Sequence, residues 1–158
     1  MHSLVLSNRI ANLILDGAYL VWLVPEIVYS FTHRITASAK TNDRYSGTVL
    51  VACISFGIFS AYWLAHAAAQ FLIIWHAVIL FAMGILFMLA GVIFRWSAIQ
   101  TLGKYFTLQV SIQPGQTVVE HGPYRWIRHP SYTGALITIF GVGLAFTNWL
   151  SLIAILVC

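Results

Sequence analysis

Residues 121–134, HGPYRWIRHPSYTG, concentrate polar chemistry in a chain with only 8% charged residues. Two histidines, two arginines, two tyrosines and a tryptophan stand together immediately before an apolar run. Aromatic rings around a cationic centre hold sulfonium or ammonium groups by cation–π attraction. Pro130 suits the first turn of a helix, where a missing N–H leaves no bond unmade. A helix entering there turns its free N–H groups back toward the loop, and that end attracts a carboxylate or another anion. Together these parts suit a zwitterion carrying a positively charged sulfur. A plainer account of the same residues is a membrane border, with basic anchors and an aromatic belt of Tyr124, Trp126 and Tyr132. Gly122-Pro123 and the histidines exceed what anchoring requires.

The elements that must position this stretch are helices in a bilayer. Hydrophobic residues make up 60% of the chain and the mean hydropathy is +0.86, whereas soluble domains carry about 25% charged residues. Each membrane pass needs about 20 apolar residues, so 158 residues hold four passes and a fragment. Apolar runs cover 10–31, 49–69, 71–94 and 133–157, the last broken at Thr147-Asn148-Trp149. The short junction around Gln70 predicts an antiparallel helical hairpin, with His66 and His76 as packed or interfacial side chains beside it. Asp16 and Glu26 interrupt the first run; Pro25 should kink it, and Glu26 is expected to reach water at an interface. The expected fold is an all-α integral membrane protein of about five transmembrane helices, the last incomplete. A single membrane domain comprises helices over 1–94 and a motif region over 95–158, whose loop lies between the third and fourth helices. In that polar loop WSAIQTLGKYF predicts a short amphipathic helix ending near Gly103, SIQPGQ a turn and TVVEHG a brief extended piece.

The net charge of +4 does not indicate nucleic acid, because eight basic residues spread over membrane-flanking loops form no basic domain surface. Polar segments 32–48 and 95–130 hold seven of those eight residues and lie two passes apart, hence on one side. By the positive-inside rule that side is cytosolic. Residues 37–39 (ASA) resemble a signal cleavage site, but they fall too late behind a long run containing Asp16, Pro25 and Glu26, which predicts a retained first pass. Cys53 and Cys158 give neither a disulfide framework nor a metal-ligand spacing, and no metal is expected.

GPYRWIRHPSYTG, preceded by QPGQTVVEHG and followed by an apolar hairpin with an Asn-Trp turn, resembles the isoprenylcysteine carboxyl methyltransferase family. The wider group includes phospholipid N-methyltransferases. The resemblance covers roughly Arg95 to Trp149 through its Gly-x-Tyr-x-x-x-Arg-His-Pro-x-Tyr order. It implies an S-adenosylmethionine pocket at the cytosolic membrane face, with contacts at Gln109, then Gln116, Thr117, Val118 and Val119 as a largely backbone cradle. Tyr124, His129, Pro130, Ser131 and Tyr132 complete the implied set. Gln116 stands where relatives often carry His. The family pattern continues through a full fifth pass to a tail with an Arg and a Glu-Glu pair, whereas the sequence ends ten residues after Asn148. Ten helical residues span about 15 Å, half the hydrocarbon thickness of about 30 Å.

The activity so implied is methyl transfer to a lipophilic acceptor, foremost a prenylated cysteine carboxylate, with membrane lipid as surroundings and no nucleic acid. A carboxylate is ionised at neutral pH and needs no general base; no catalytic residue stands out. Arg125 or Arg128 are candidates for holding that carboxylate or a lipid phosphate. His121 or His129 are candidate bases for another acceptor. A phospholipid amine or a thiol remains an alternative acceptor, and a non-catalytic membrane relative the reading from a different class.

Overall fold

The computed structural model describes residues 8–34, 46–74, 76–103 and 121–157. They form five α-helices: α1 (Arg9–Arg34), α2 (Ser46–Ala67), α3 (Ala77–Leu102), α4 (Pro130–Ala145) and α5 (Trp149–Val157). Single 3₁₀ turns lie at Ala69–Phe71 and Gly122–Arg125, and there is no strand among the described residues. Two helices, over Arg9–Val28 and Ala77–Leu102, are long and apolar enough to cross a membrane. Large apolar side chains face outward along them, as at Val78 and Ile93 on α3 and Leu20 on α1. Outward apolar surface on such helices is what a lipid environment accommodates.

The sequence sets α1 by its cap and its stripe. Asn8 accepts the Ile10 N–H at 2.9 Å through Oδ1, capping the first turn. Ala11, Leu15, Ala18 and Trp22 recur along one face and are buried; the first three join a core with Phe81, Met88, Val142 and Phe146. The helix runs through Pro25 without a break, although proline offers no N–H to the preceding turn.

The centre of the bundle is the α3–α4 pair, packed through small residues. A methyl group on Gly91 would come within 2.5 Å of the Thr138 backbone nitrogen, and one on Gly141 within 2.5 Å of the Met88 nitrogen. Gly84 and Gly134 meet backbone equally closely. Such glycines let two helix backbones approach, gaining dispersion contacts where the hydrophobic effect is weak. Thr138 is fully buried and returns its hydroxyl to the Gly134 carbonyl at 3.0 Å, so no polar atom is left open there.

Far from the Gly122 loop, the α2–α3 connection and the α4–α5 turn are clasped together; α2 packs mainly against α5 and not, as the short Gln70 junction predicts, as an antiparallel hairpin against α3. Leu72 bridges Asn148, and the Ile73 N–H donates to the Thr147 carbonyl at 2.9 Å. Asn148, fully buried, accepts N–H groups of Leu150 and Ser151 through Oδ1 and so caps α5. Its Nδ2 donates to the Ala68 carbonyl at 3.1 Å, and Ser151 Oγ donates to the Ala61 carbonyl at 2.7 Å. Thr147 adopts a positive φ of 49° to make the turn.

Several expectations are met and others corrected. The hairpin break at Thr147-Asn148-Trp149 is present, and His66, in the last turn of α2, and His76, just before α3, are exposed at the helix ends. The third helix begins at Ala77 rather than residue 71, because Leu72 and Ile73 are committed to the clasp. WSAIQTL is no separate helix: it continues α3 to Leu102, where Gly103 at φ 51° stops it. SIQPGQ and residues 117–120 of TVVEHG lie outside the described residues.

Candidate functional site

The site is built around Arg95, which composition alone assigns to a loop. The residue instead lies inside α3, 9% exposed, on the face shared by buried Ala98 and Ile99. Its Nη1 donates to Ser131 Oγ at 2.7 Å and to the Ser131 carbonyl at 3.1 Å. Its Nε donates to Glu26 Oε2 at 3.0 Å, and Nη2 forms an ion pair with Glu26 Oε1. One guanidinium therefore ties α1, α3 and the first turn of α4. Its planar fork suits this task, since it presents several donors in fixed directions. Glu26 keeps 29% of its side chain exposed, so the water access expected for it is partial and its main partner is Arg95. Acids within membrane helices pair in this way because an isolated charge there is costly.

The close approach of Arg95 to Ser131 depends on Gly134, where a methyl would lie 2.7 Å from Arg95 Cβ. Pro130, buried, opens α4 at N1, as its sequence position leads one to expect. Thr133 N–H bonds the His129 carbonyl at 3.1 Å. The N–H groups of Ser131 and Tyr132 precede it and have no carbonyl within the helix to meet. That first turn carries a partial positive charge.

Gly122–Arg125 packs against α3. Gly122 has φ 59°, and a methyl there would sit 2.9 Å from Thr101 Oγ1, which accounts for glycine beside Pro123. The turn sets Tyr124 half-buried near Arg95. Burial pushes the Tyr124 hydroxyl above its ordinary pKa, while the positive charge of Arg95 opposes the shift. Outside this cluster, His129 and Tyr132 are exposed and meet edge-to-face at 6.2 Å between ring centres. Trp126 is 81% exposed with the Arg125 guanidinium 5.4 Å from its ring centre. Trp126 and Tyr132 thus have the placement of a membrane-border belt.

Of the sequence-predicted set, the structure gathers Tyr124, Pro130 and Ser131 on the Arg95 side and leaves His129 and Tyr132 on the open side of the same turn. Gln109, Gln116, Thr117, Val118 and Val119 lie outside the described residues. Arg95 and Glu26 were not in the set. The signal for them was the need of an intramembrane acid for a cationic partner. No group of three or more His, Cys, Asp or Glu residues that could hold a metal occurs among the described residues.

These parts fit S-adenosylmethionine in kind. A helix start with free N–H groups suits its carboxylate, and the rings of Tyr124, His129 and Tyr132 suit its cationic and aromatic portions.

Comparison with known proteins bears on the same region. The isoprenylcysteine carboxyl methyltransferase family matches residues 82–158. Protein-S-isoprenylcysteine O-methyltransferase A of Arabidopsis thaliana is 37% identical over 73 residues, 45% of this chain and 37% of that protein. A probable protein-S-isoprenylcysteine O-methyltransferase of Oryza sativa subsp. indica is 33% identical, over 45% of this chain and 38% of its own length. The uncharacterized protein YpbQ of Bacillus subtilis (strain 168) is 30% identical over 60 residues, 38% of this chain and 36% of its own. The matches thus span between 36% and 38% of these relatives' length. No solved structure gives a significant match. Over residues 82–158 the resemblance to the isoprenylcysteine carboxyl methyltransferase family, first read from the loop motif, holds.

Proposed function

We propose that this protein is an S-adenosylmethionine-dependent membrane methyltransferase of the isoprenylcysteine carboxyl type. Its acceptor is a lipophilic carboxylate such as a prenylated cysteine, presented at the cytosolic membrane face. The observation that carries this reading is the attachment of the family motif to the bundle: Ser131 is held through two hydrogen bonds from buried Arg95, beside half-buried Tyr124. A motif serving only as a border has no need of such a fixed geometry.

In this reading the helices cross the bilayer, with the 103–129 connection on the cytosolic side. Residues 1–94 supply supporting helices and 95–158 the motif region, within one membrane domain. S-adenosylmethionine supplies a methyl group on a positively charged sulfur when bound. Tyr124, His129 and Tyr132 offer rings to that charge, Pro130 and Ser131 set the helix start, and the Ser131 and Tyr132 N–H groups face the carboxylate end. Gln109, Gln116, Thr117, Val118 and Val119 complete the cradle. The chain's task toward the acceptor is positioning and partial desolvation of an oxygen already ionised at neutral pH. Arg125 and Arg128, both exposed in the loop, are placed to attract that carboxylate or a lipid phosphate.

The test is a methyl-transfer panel with the protein in lipid nanodiscs. Farnesylcysteine, phosphatidylethanolamine and an alkylthiol compete as acceptors for labelled methyl. Base-labile label on farnesylcysteine supports the proposal; label on the amine or thiol alone overturns the acceptor assignment.

A further inference from the structure

A second polar feature lies away from the Arg95 cluster. α1 and α2 diverge to leave a cleft of about 720 Å³, floored by Phe146 at the end of α4. That volume falls within the range of small-molecule sites, about 300–1,000 Å³. Asn12, Asp16, Tyr19 and Leu23 line one wall, a stripe beside the one that α1 buries in the core, and Tyr62 and His66 line the other.

The cleft is rich in acceptors and in aromatic surface. Asp16 has no ion-pair partner among the described residues, although it sits within the membrane-crossing stretch of α1. Tyr19 Oη is buried without a hydrogen-bond partner. His66 Nδ1 bonds the Tyr62 carbonyl at 2.8 Å; a carbonyl only accepts, so this nitrogen is the donor. Tyr62 lies tilted against His66 at 4.3 Å between ring centres and meets Phe146 edge-on at 6.2 Å. Trp22, 8% exposed, lies 6.4 Å from Tyr19. A carboxylate, a hydroxyl with no hydrogen-bond partner and aromatic faces in one apolar cleft match an ammonium group, which has donors only, carried on an apolar chain. An unpaired acid in a membrane helix marks a functional site with a missing partner.

We propose that the α1–α2 cleft binds a lipophilic amine, its ammonium on Asp16 and Tyr19 and its chain along the aromatic wall. This site is separate from the methyl-transfer reading, because it lies at the Phe146 end of the bundle and shares no residue with the Arg95 cluster.

The experiment uses the whole protein in nanodiscs and 12-bromododecylamine as probe, with 12-bromododecanol as its neutral counterpart. Bromine quenches nearby tryptophan, and a Trp22→Phe variant gives the baseline. The expected result is saturable quenching of the Trp22 signal at a concentration tenfold or more lower for the amine than for the alcohol. Asp16→Asn, close to isosteric, abolishes that preference; Asp16→Glu retains it, and Tyr19→Phe weakens it severalfold. Equal quenching by both probes, or an amine preference that survives Asp16→Asn, overturns the proposal. So does a change in oligomeric size on Asp16→Asn without amine preference, since that outcome assigns the acid to a second protein chain.

Discussion

Arg95 and Ser131 are 36 positions apart in sequence, yet two hydrogen bonds of 2.7 and 3.1 Å join the Arg95 Nη1 to the Ser131 hydroxyl and carbonyl. The same guanidinium is neutralised by Glu26 from α1. The conformation of the His129-Pro130-Ser131-Tyr132 turn is therefore set by a residue in the third helix, which the first helix in turn holds.

Removing one member of that pair should be worse than removing both. Arg95→Ala leaves Glu26 with an uncompensated charge in apolar surroundings, and breaking a buried pair costs roughly 3–5 kcal/mol. The lower end, about 3 kcal/mol, is expected because Glu26 retains exposure. The Arg95→Met, Glu26→Gln double variant should recover at least half of that loss. Unfolding in mixed detergent–SDS micelles measures both; equal losses in the single and double variants contradict the pairing.

The space around two glycines, Gly141 in the α3–α4 seam and Gly17 on α1, predicts opposite signs for their changes to alanine. At Gly141 the new methyl meets the Met88 nitrogen at 2.5 Å and the Gly84 carbonyl at 2.6 Å, and backbone cannot step aside without parting the helices. Overpacking of this kind costs about 1–3 kcal/mol. At Gly17 nothing lies within 4 Å, so alanine should stabilise α1 by up to about 1 kcal/mol. The same unfolding measurement decides, and a neutral Gly141→Ala contradicts the tight contact.

Asn148→Ala should loosen the clasp between the α2–α3 connection and the α4–α5 turn. The Ala68 carbonyl keeps its bond from the Phe71 N–H but loses the Asn148 donor, and the buried Ser151 N–H at the start of α5 loses its acceptor. Leaving a buried group unsatisfied costs about 1–3 kcal/mol. Hydrogen exchange should rise in both Ala68–Ile73 and Thr147–Ser151; a rise in one segment alone would deny the link between them.

Tyr124 gives an alkaline signature. Its folded-state pKa is raised above the unfolded value, so its contribution is intact below the ordinary value near 10 and is lost as pH climbs. Above that point the unfolded chain releases the phenol proton while the folded chain still holds it. Stability should fall with pH there, less steeply in Tyr124→Phe. Titration of phenolate absorbance, as wild type minus Tyr124→Phe, should show a transition later than free tyrosine; an earlier one contradicts the burial.

The sequence made much of this legible, and the exceptions share a cause. Apolar runs located the helices, and Pro130 marked the start of α4 because proline has few other places to go. Arg95 was misassigned to a loop because the apolar run ends at Phe94, and composition cannot distinguish a loop from a helix that continues with one charged, inward face. Its spacing to Ala98 and Ile99 carried the helical period, but its partners, Glu26 and Ser131, lie 69 and 36 positions away. Asn148 read as a break; its bond to the Ala68 carbonyl, 80 positions back, is tertiary and leaves no local trace. Gly122 was marked as surplus to anchoring, and its contact with Thr101 supplies the reason.

The central claim is that the motif turn held by Arg95 forms a cofactor pocket. Its most direct test is equilibrium binding of labelled S-adenosylmethionine to the protein in nanodiscs, for wild type, Tyr124→Ala and His129→Ala. The account predicts saturable binding to wild type, weakened tenfold or more in Tyr124→Ala and lessened in His129→Ala. Absence of binding, or an affinity unchanged in both variants, would contradict it.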